Sequence, residues 1–179
     1  MSGPSGAGKG TLIERVLAEV PELELAVSAT TRPPRPNETP GREYHFLSDE
    51  EFERRAQAGE FLEHVRYAHR RYGTLQDEVE DRAEEAGVVL EIEVQGARAV
   101  RAKMPEAVLV FVEPPSLNEL AERLRRRGTN DDTDISERLR VAEDELRARE
   151  EFDHVIVNDD RDRAAAELAA IVREHLRAG

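Results

Sequence analysis

The stretch Gly3–Thr11, GPSGAGKGT, constrains this chain more than any other part of it. Gly3, Gly6 and Gly8, then Lys9 and an amphipathic run, predict a tight loop that turns directly into a helix. In such a loop the glycines let backbone N–H groups curl around an oxyanion. The helix N-terminus adds its dipole, and the lysine reaches the outer phosphates of a nucleotide. The helix is expected over Lys9–Glu19, with Leu12, Ile13, Val16 and Leu17 on one face. Two features depart from the pattern G-x-x-x-x-G-K-[ST]. Gly10 stands where a hydroxyl normally touches Mg²⁺, and Thr11 comes one place late. Mg²⁺ keeps several waters and leans on substrate phosphates, so it would be held mainly by those. In addition, only Met1 and Ser2 precede the loop, where a short apolar strand is expected; that first strand reads as missing. An upstream extension would then add stability and activity.

Downstream, helical patterns alternate with short apolar runs. Leu23–Ser28, Glu60–Tyr72, Val88–Val94, Ala107–Val112 and His154–Val157 have strand character. Ser48-Asp49-Glu50-Glu51 is a capping box opening a helix to about Ala58. Further helices are expected over Asp77–Ala86, about Ala97–Lys103, from Ser116 to Gly128, Ile135–Glu151 and Arg163–Arg177. Alternation of this kind implies an α/β fold with a parallel sheet flanked by helices. The interval from about Arg32 to Thr74 breaks the rhythm and reads as an inserted subdomain.

The length of 179 residues suits one domain with a sizeable core. There is no cysteine, which excludes disulfides and cysteine-held metals. The apolar runs are too short to span a bilayer, and no apolar leader opens the chain, so a cytoplasmic protein without membrane partners is expected. The formal charge of −13 argues against a nucleic-acid surface. Of the 26 basic residues 24 are arginine, and one of the two lysines is Lys9 in the loop. Arginine clusters in an acidic chain suit anionic substrates, because the guanidinium fork pairs with phosphate through two parallel hydrogen bonds.

Arg32 and Arg35 lie three apart in a stretch stiffened by Pro33, Pro34 and Pro36, which lowers the cost of ordering them around a phosphate. Tyr44 adds a hydroxyl donor. Beyond it stand Glu63 in EFLEH and Tyr72, Gly73 and Thr74 in RRYGTL. Taken singly, each of these reads as ordinary surface.

Taken together they resemble one family. GPSGAGKGT, SATTRPPRPNE, GREYHF, GEFLEH, RRYGTL, LEIEVQGA, FVEPPS, RLRRRGT, ERL and VIVND follow the order and spacing of guanylate kinases across essentially the whole chain. The resemblance implies a phosphate-loop fold of one domain, 1–179, with a core of 1–31 and 75–179. The GMP-binding subdomain would be about 32–74 and the lid about 124–140. It implies that ATP, with Mg²⁺, phosphorylates GMP (and dGMP) by direct in-line transfer, with no obligate protein partner. By position, Gly3, Pro4, Ser5, Gly6, Ala7, Gly8, Lys9, Gly10, Thr11, Arg123 and Asn158 would bind ATP. Lys9, Arg127 and Arg138 would stabilise the transferring group. Arg32, Arg35, Tyr44 and Tyr72 would hold the GMP phosphate, with Ser28, Glu63, Gly73, Thr74 and Glu93 towards the guanine. Glu93 departs from the family, which usually has Asp there; the charge is kept on an arm one methylene longer. GKGT occurs in adenylate kinases, so Gly10 resembles a working variant.

Two other readings stay open at this level. A ribose 1,5-bisphosphate phosphokinase shares the loop and lid. A non-catalytic guanylate-kinase-like domain that binds phosphopeptides would share the fold.

Overall fold

The opening loop runs into α1 (Lys9–Glu19), with Leu12, Ile13 and Val16 buried on one face. This computed structural model describes residues 1–67, 69–83, 86–126 and 132–177. They fall into two compact units, Met1–Pro21 with Val108–Gly179, and Glu22–Ala107.

The second unit begins with β1 (Leu23–Leu25), followed by β2 (Ala29–Thr30) and β3 (His45–Phe46), which pair in parallel. The capping serine behaves as read. Ser48 Oγ accepts from the Glu51 amide at 3.1 Å and starts α2 (Asp49–Gln57). The Glu51 carboxylate turns to Arg54 and Arg55. The interval with strand character, Glu60–Tyr72, falls in a hairpin of β4 (Phe61–Tyr67) and β5 (Arg70–Leu75). His69 lies at its turn with φ 62°, a conformation histidine tolerates better than most residues. The four strands run in the order β3-β2-β5-β4. Phe52 of α2 stacks on Phe61 with centroids 4.4 Å apart, within a cluster that also buries Ala29 and Leu75.

Next come α3 (Gln76–Ala83) and β6 (Gly87–Val89), which pairs in parallel with β1. The apolar run VVLEIEV leaves the strand earlier than expected. Glu93 is already the N-cap of α4 (Val94–Lys103), and Ile92 and Val94 are buried outside any strand.

The chain then returns to the first unit with β7 (Val110–Glu113), α5 (Leu117–Arg126) and α6 (Asp132–Arg147). A 3₁₀ turn, Ala148–Glu151, takes the last part of the long helix read from the sequence. β8 (His154–Val157) and α7 (Arg161–Leu176) complete the unit. β7 pairs in parallel with β8, and Ser2 bridges Phe111 in parallel. The Ser2 amide donates to Val110 O at 2.9 Å and Ser2 O accepts from Val112 at 2.8 Å. The chain is therefore already in strand register when it enters the glycine loop. Phe111 is fully buried and meets Phe152 edge-on at 5.0 Å. Asp160 caps α7 by accepting from the amides of Asp162 and Arg163.

Candidate active site

In the first unit the loop has a defined shape. Gly3, Gly6 and Gly8 all take positive φ. Gly8 is the N-cap of α1 at φ 98°, where an added Cβ would collide with the Asn158 amide nitrogen. The left-handed region costs an L-residue about 1–2 kcal/mol before any clash. Gly8→Ala is therefore expected to lower Tm by about 5 °C in a thermal melt, at about 2–4 °C per kcal/mol for a chain this size.

Lys9 is buried, and its Nζ donates to Gly3 O at 2.6 Å and Pro4 O at 3.3 Å. The ammonium thus lies back across the loop. The leading amides of α1 have no acceptor within their own helix, as at any helix start, and point a row of donors out of it. Gly10 is half-buried and Thr11 exposed in this first turn, and Pro4, Ser5 and Ala7 complete the curve. Asn158 Nδ2 donates to Ala7 O at 2.7 Å, and Arg123 donates to Ala7 O at 3.4 Å and to Asn158 O at 2.9 Å. Arg123 and Asn158 therefore brace the back of the loop. Asn158 Oδ1 is buried without a hydrogen-bond partner. Arg138 is half-buried in α6, and Arg127 lies outside the described residues.

In the second unit the structure forms two clusters. The first surrounds Arg32. Its guanidinium makes a two-pronged pair with Glu38, at 2.9 and 2.8 Å, and lies 5.4 Å from the Tyr44 ring and 5.8 Å from that of Phe46. Tyr72 meets Tyr44 edge-on at 6.1 Å. The Arg35 amide donates to Glu38 at 2.7 Å, while its guanidinium is 70% exposed and 3.8 Å from the same carboxylate. No motif in the sequence marks Glu38; the signal for it is an acid shortly after two arginines. The Arg32 pair holds its carboxyl below the usual range. Burial, helped by Glu91, pushes the Tyr44 hydroxyl up to about 12, so it keeps its proton.

The second cluster surrounds Glu63, which is only 4% exposed. Thr74 Oγ1 donates to its Oε1 at 2.9 Å. Its other oxygen lies against α4 at Gly96, where an added Cβ would sit 2.5 Å from Oε2. No other residue fits Gly96's position without displacing the carboxylate. Burial, reinforced by Glu93, pushes the Glu63 carboxyl up to about 7 despite the Thr74 hydrogen bonds and Lys103. Gly73 pairs with Ala29 and His64 inside the sheet. Ser28 is half-buried, and its carbonyl accepts from the His45 amide at 2.9 Å.

The raised pKa has a stability consequence. Below pH 4.5, Glu63 is protonated in both folded and unfolded chains. Between about 4.5 and 7 the unfolded chain loses the proton first, so stability falls as pH rises. Above 7 the cost is constant, on the order of 3 kcal/mol. Glu63→Gln is neutral and similar in shape. Its Tm is therefore expected to exceed wild type at pH 8 and to match it near pH 4; a lower Tm at pH 8 would refute the direction.

Among the described residues no group of three or more His, Cys, Asp or Glu side chains could hold a metal ion. None of the described helices is long and apolar enough to cross a membrane.

A glycine loop entered from a strand position and leaving into a helix defines a class, the phosphate-loop nucleotide-binding proteins. Comparison with known proteins narrows it. The family profile described as guanylate kinase matches residues 1–175. A guanylate kinase of Rubrobacter xylanophilus is 51% identical over 100% of this chain and 94% of its own length. One from Frankia casuarinae is 52% identical over 96% of this chain and 94% of its own. The crystal structure of guanylate kinase from Anaplasma phagocytophilum superimposes with a TM-score of 0.76 at 33% identity, covering 97% of this chain and 82% of that one. The chain belongs to the guanylate kinase family.

Proposed function

We propose that the chain transfers the γ-phosphoryl group of ATP to the phosphate of GMP or dGMP, releasing ADP and GDP or dGDP. The observation that carries the choice of acceptor is the buried Glu63–Thr74 pair. Guanine presents N1–H and the exocyclic amino group side by side, and one carboxylate accepts both. Adenine has no such donor pair and would leave a buried carboxylate unpaired, a mismatch on the order of 10⁴ in selectivity. Glu93, Ser28 and Gly73 complete the base side of this reading. Arg32, Arg35, Tyr44 and Tyr72 take the GMP phosphate, with Glu38 keeping the first arginine aimed.

A GMP phosphate oxygen attacks the γ-phosphorus of ATP in line, and the bond to the β–γ bridging oxygen breaks as ADP leaves. Lys9, the loop amides, Arg127 and Arg138 offset charge on the transferring group, and no side-chain nucleophile is needed. Arg123 and Asn158 act on ATP through the loop they brace. With Gly10 at the usual hydroxyl position, Mg²⁺ in this reading is held mainly by the nucleotide phosphates and its own waters, and the Thr11 hydroxyl is left to a phosphate. When bound with ATP, Mg²⁺ would supply positive charge that helps offset the charge of the phosphates. In this reading the reaction needs no protein partner and runs in the cytoplasm.

Guanine binding favours ionised Glu63, so the KM for GMP is expected to rise as pH falls below about 7. A panel of GMP, AMP and ribose 1,5-bisphosphate, with ADP formation followed, tests the assignment. GMP should be used far better than the others. Equal use of AMP, or preference for the sugar bisphosphate, would overturn it.

A further inference from the structure

Side chains two apart on a strand share a face, so Phe61 and Glu63 should point the same way. They do not. Phe61 pairs with Leu75 and Glu63 pairs with Thr74, although these two partners are neighbours on β5 and face opposite sides. Phe61 and Leu75 join the apolar cluster under α2, whereas Glu63 and Thr74 meet on the other face. The extra residue is Leu62, buried in a β-bulge. A bulge interrupts the ladder and leaves carbonyls needing other donors. Here Lys103 Nζ supplies them, donating to Phe61 O at 3.0 Å and to Leu62 O at 2.5 Å.

We propose that Lys103 is a positioning residue for base specificity: it clamps the bulge at Leu62 and thereby turns the Glu63 carboxylate towards the guanine. The inference rests on the reading of Glu63 as the guanine acceptor. Lysine is scarce in this chain, and both lysines place an ammonium on two nearby carbonyls, Lys9 on Gly3 and Pro4, Lys103 on Phe61 and Leu62. A compact ammonium with three donors suits that geometry; a planar guanidinium fork does not. Lys103 is also the last residue of α4, where a cation suits the helix dipole. The same helix brings Gly96 and Glu93 to Glu63. The groups bearing on the carboxylate are thus Thr74 from β5, and Glu93 and Lys103 from the two ends of α4. Lys103 opposes Glu93 and burial, and so helps Glu63 to ionise near neutral pH.

IMP lacks the exocyclic amino group and serves as the probe. Dissociation constants for GMP and IMP are measured by calorimetry on wild type, Lys103→Met, Lys103→Gln and Glu63→Gln, each checked by its melt, with the pH dependence of the GMP KM alongside. In Lys103→Met the GMP affinity and the GMP-over-IMP preference are each expected to fall by about tenfold. The pH midpoint should move upward, while kcat at saturating GMP changes less. Lys103→Gln keeps a donor without the charge. It should retain more of the preference while its midpoint still moves upward, which tests the proposal even if the methionine variant is poorly folded. An unchanged preference and midpoint in folded lysine variants, with the preference lost in Glu63→Gln, overturns the role of Lys103 alone. A preference that survives in Glu63→Gln overturns the guanine reading beneath it.

Discussion

Lys9→Ala is expected to lower kcat by about 10³-fold or more, with a smaller change in the KM for GMP, because in-line phosphoryl transfer depends almost wholly on positioning and charge stabilisation. The ammonium is the cation built into the glycine loop itself, 2.6 Å from Gly3 O and 3.3 Å from Pro4 O. In the proposed reaction it would leave those carbonyls for a phosphate oxygen. Truncation removes that charge and also a donor to two loop carbonyls. A melting curve therefore accompanies the kinetics, and a folded Lys9→Ala with near wild-type turnover would refute the assigned role.

Arg35→Ala is expected to raise the KM for GMP by about 100-fold, the loss of a charge-assisted pair to a phosphate being worth roughly 2–3 kcal/mol. Arg35 is the cleaner probe of the two arginines. Its guanidinium is 70% exposed, and its tie to Glu38 is mainly through its backbone amide at 2.7 Å. Arg32 is built into the fold by Glu38, Tyr44 and Phe46, so its removal would disturb structure and binding together. The Arg35 variant should keep its Tm within about 2 °C, as surface substitutions do. Unaltered GMP kinetics would remove Arg35 from the site.

The parts of the fold that the sequence reveals are those governed by local rules. α1 and β8 fall on the expected residues because a glycine start and an apolar period delimit them. The β4–β5 hairpin was hidden because its turn uses His69 where glycine or asparagine would have announced it. The start of α4 was hidden inside VVLEIEV, where apolar residues continue past the strand into buried helix positions. Side-chain direction at the candidate site was less legible still. The resemblance to guanylate kinases points to Glu63, but its face depends on one extra residue in β4 and on a lysine 40 positions away in sequence. The back of the loop is similar. Asn158 and Arg123 reach Ala7 only because β8 and α5 are folded beside it, and no local pattern encodes that contact.

The most direct measurement follows the γ-labelled phosphoryl group of ATP in the presence of GMP. Label appearing in GDP in step with ADP, suppressed in Lys9→Ala and in Arg35→Ala at low GMP, is the expected result. ADP formed with label only in inorganic phosphate, or no turnover with any nucleoside monophosphate, would contradict the account.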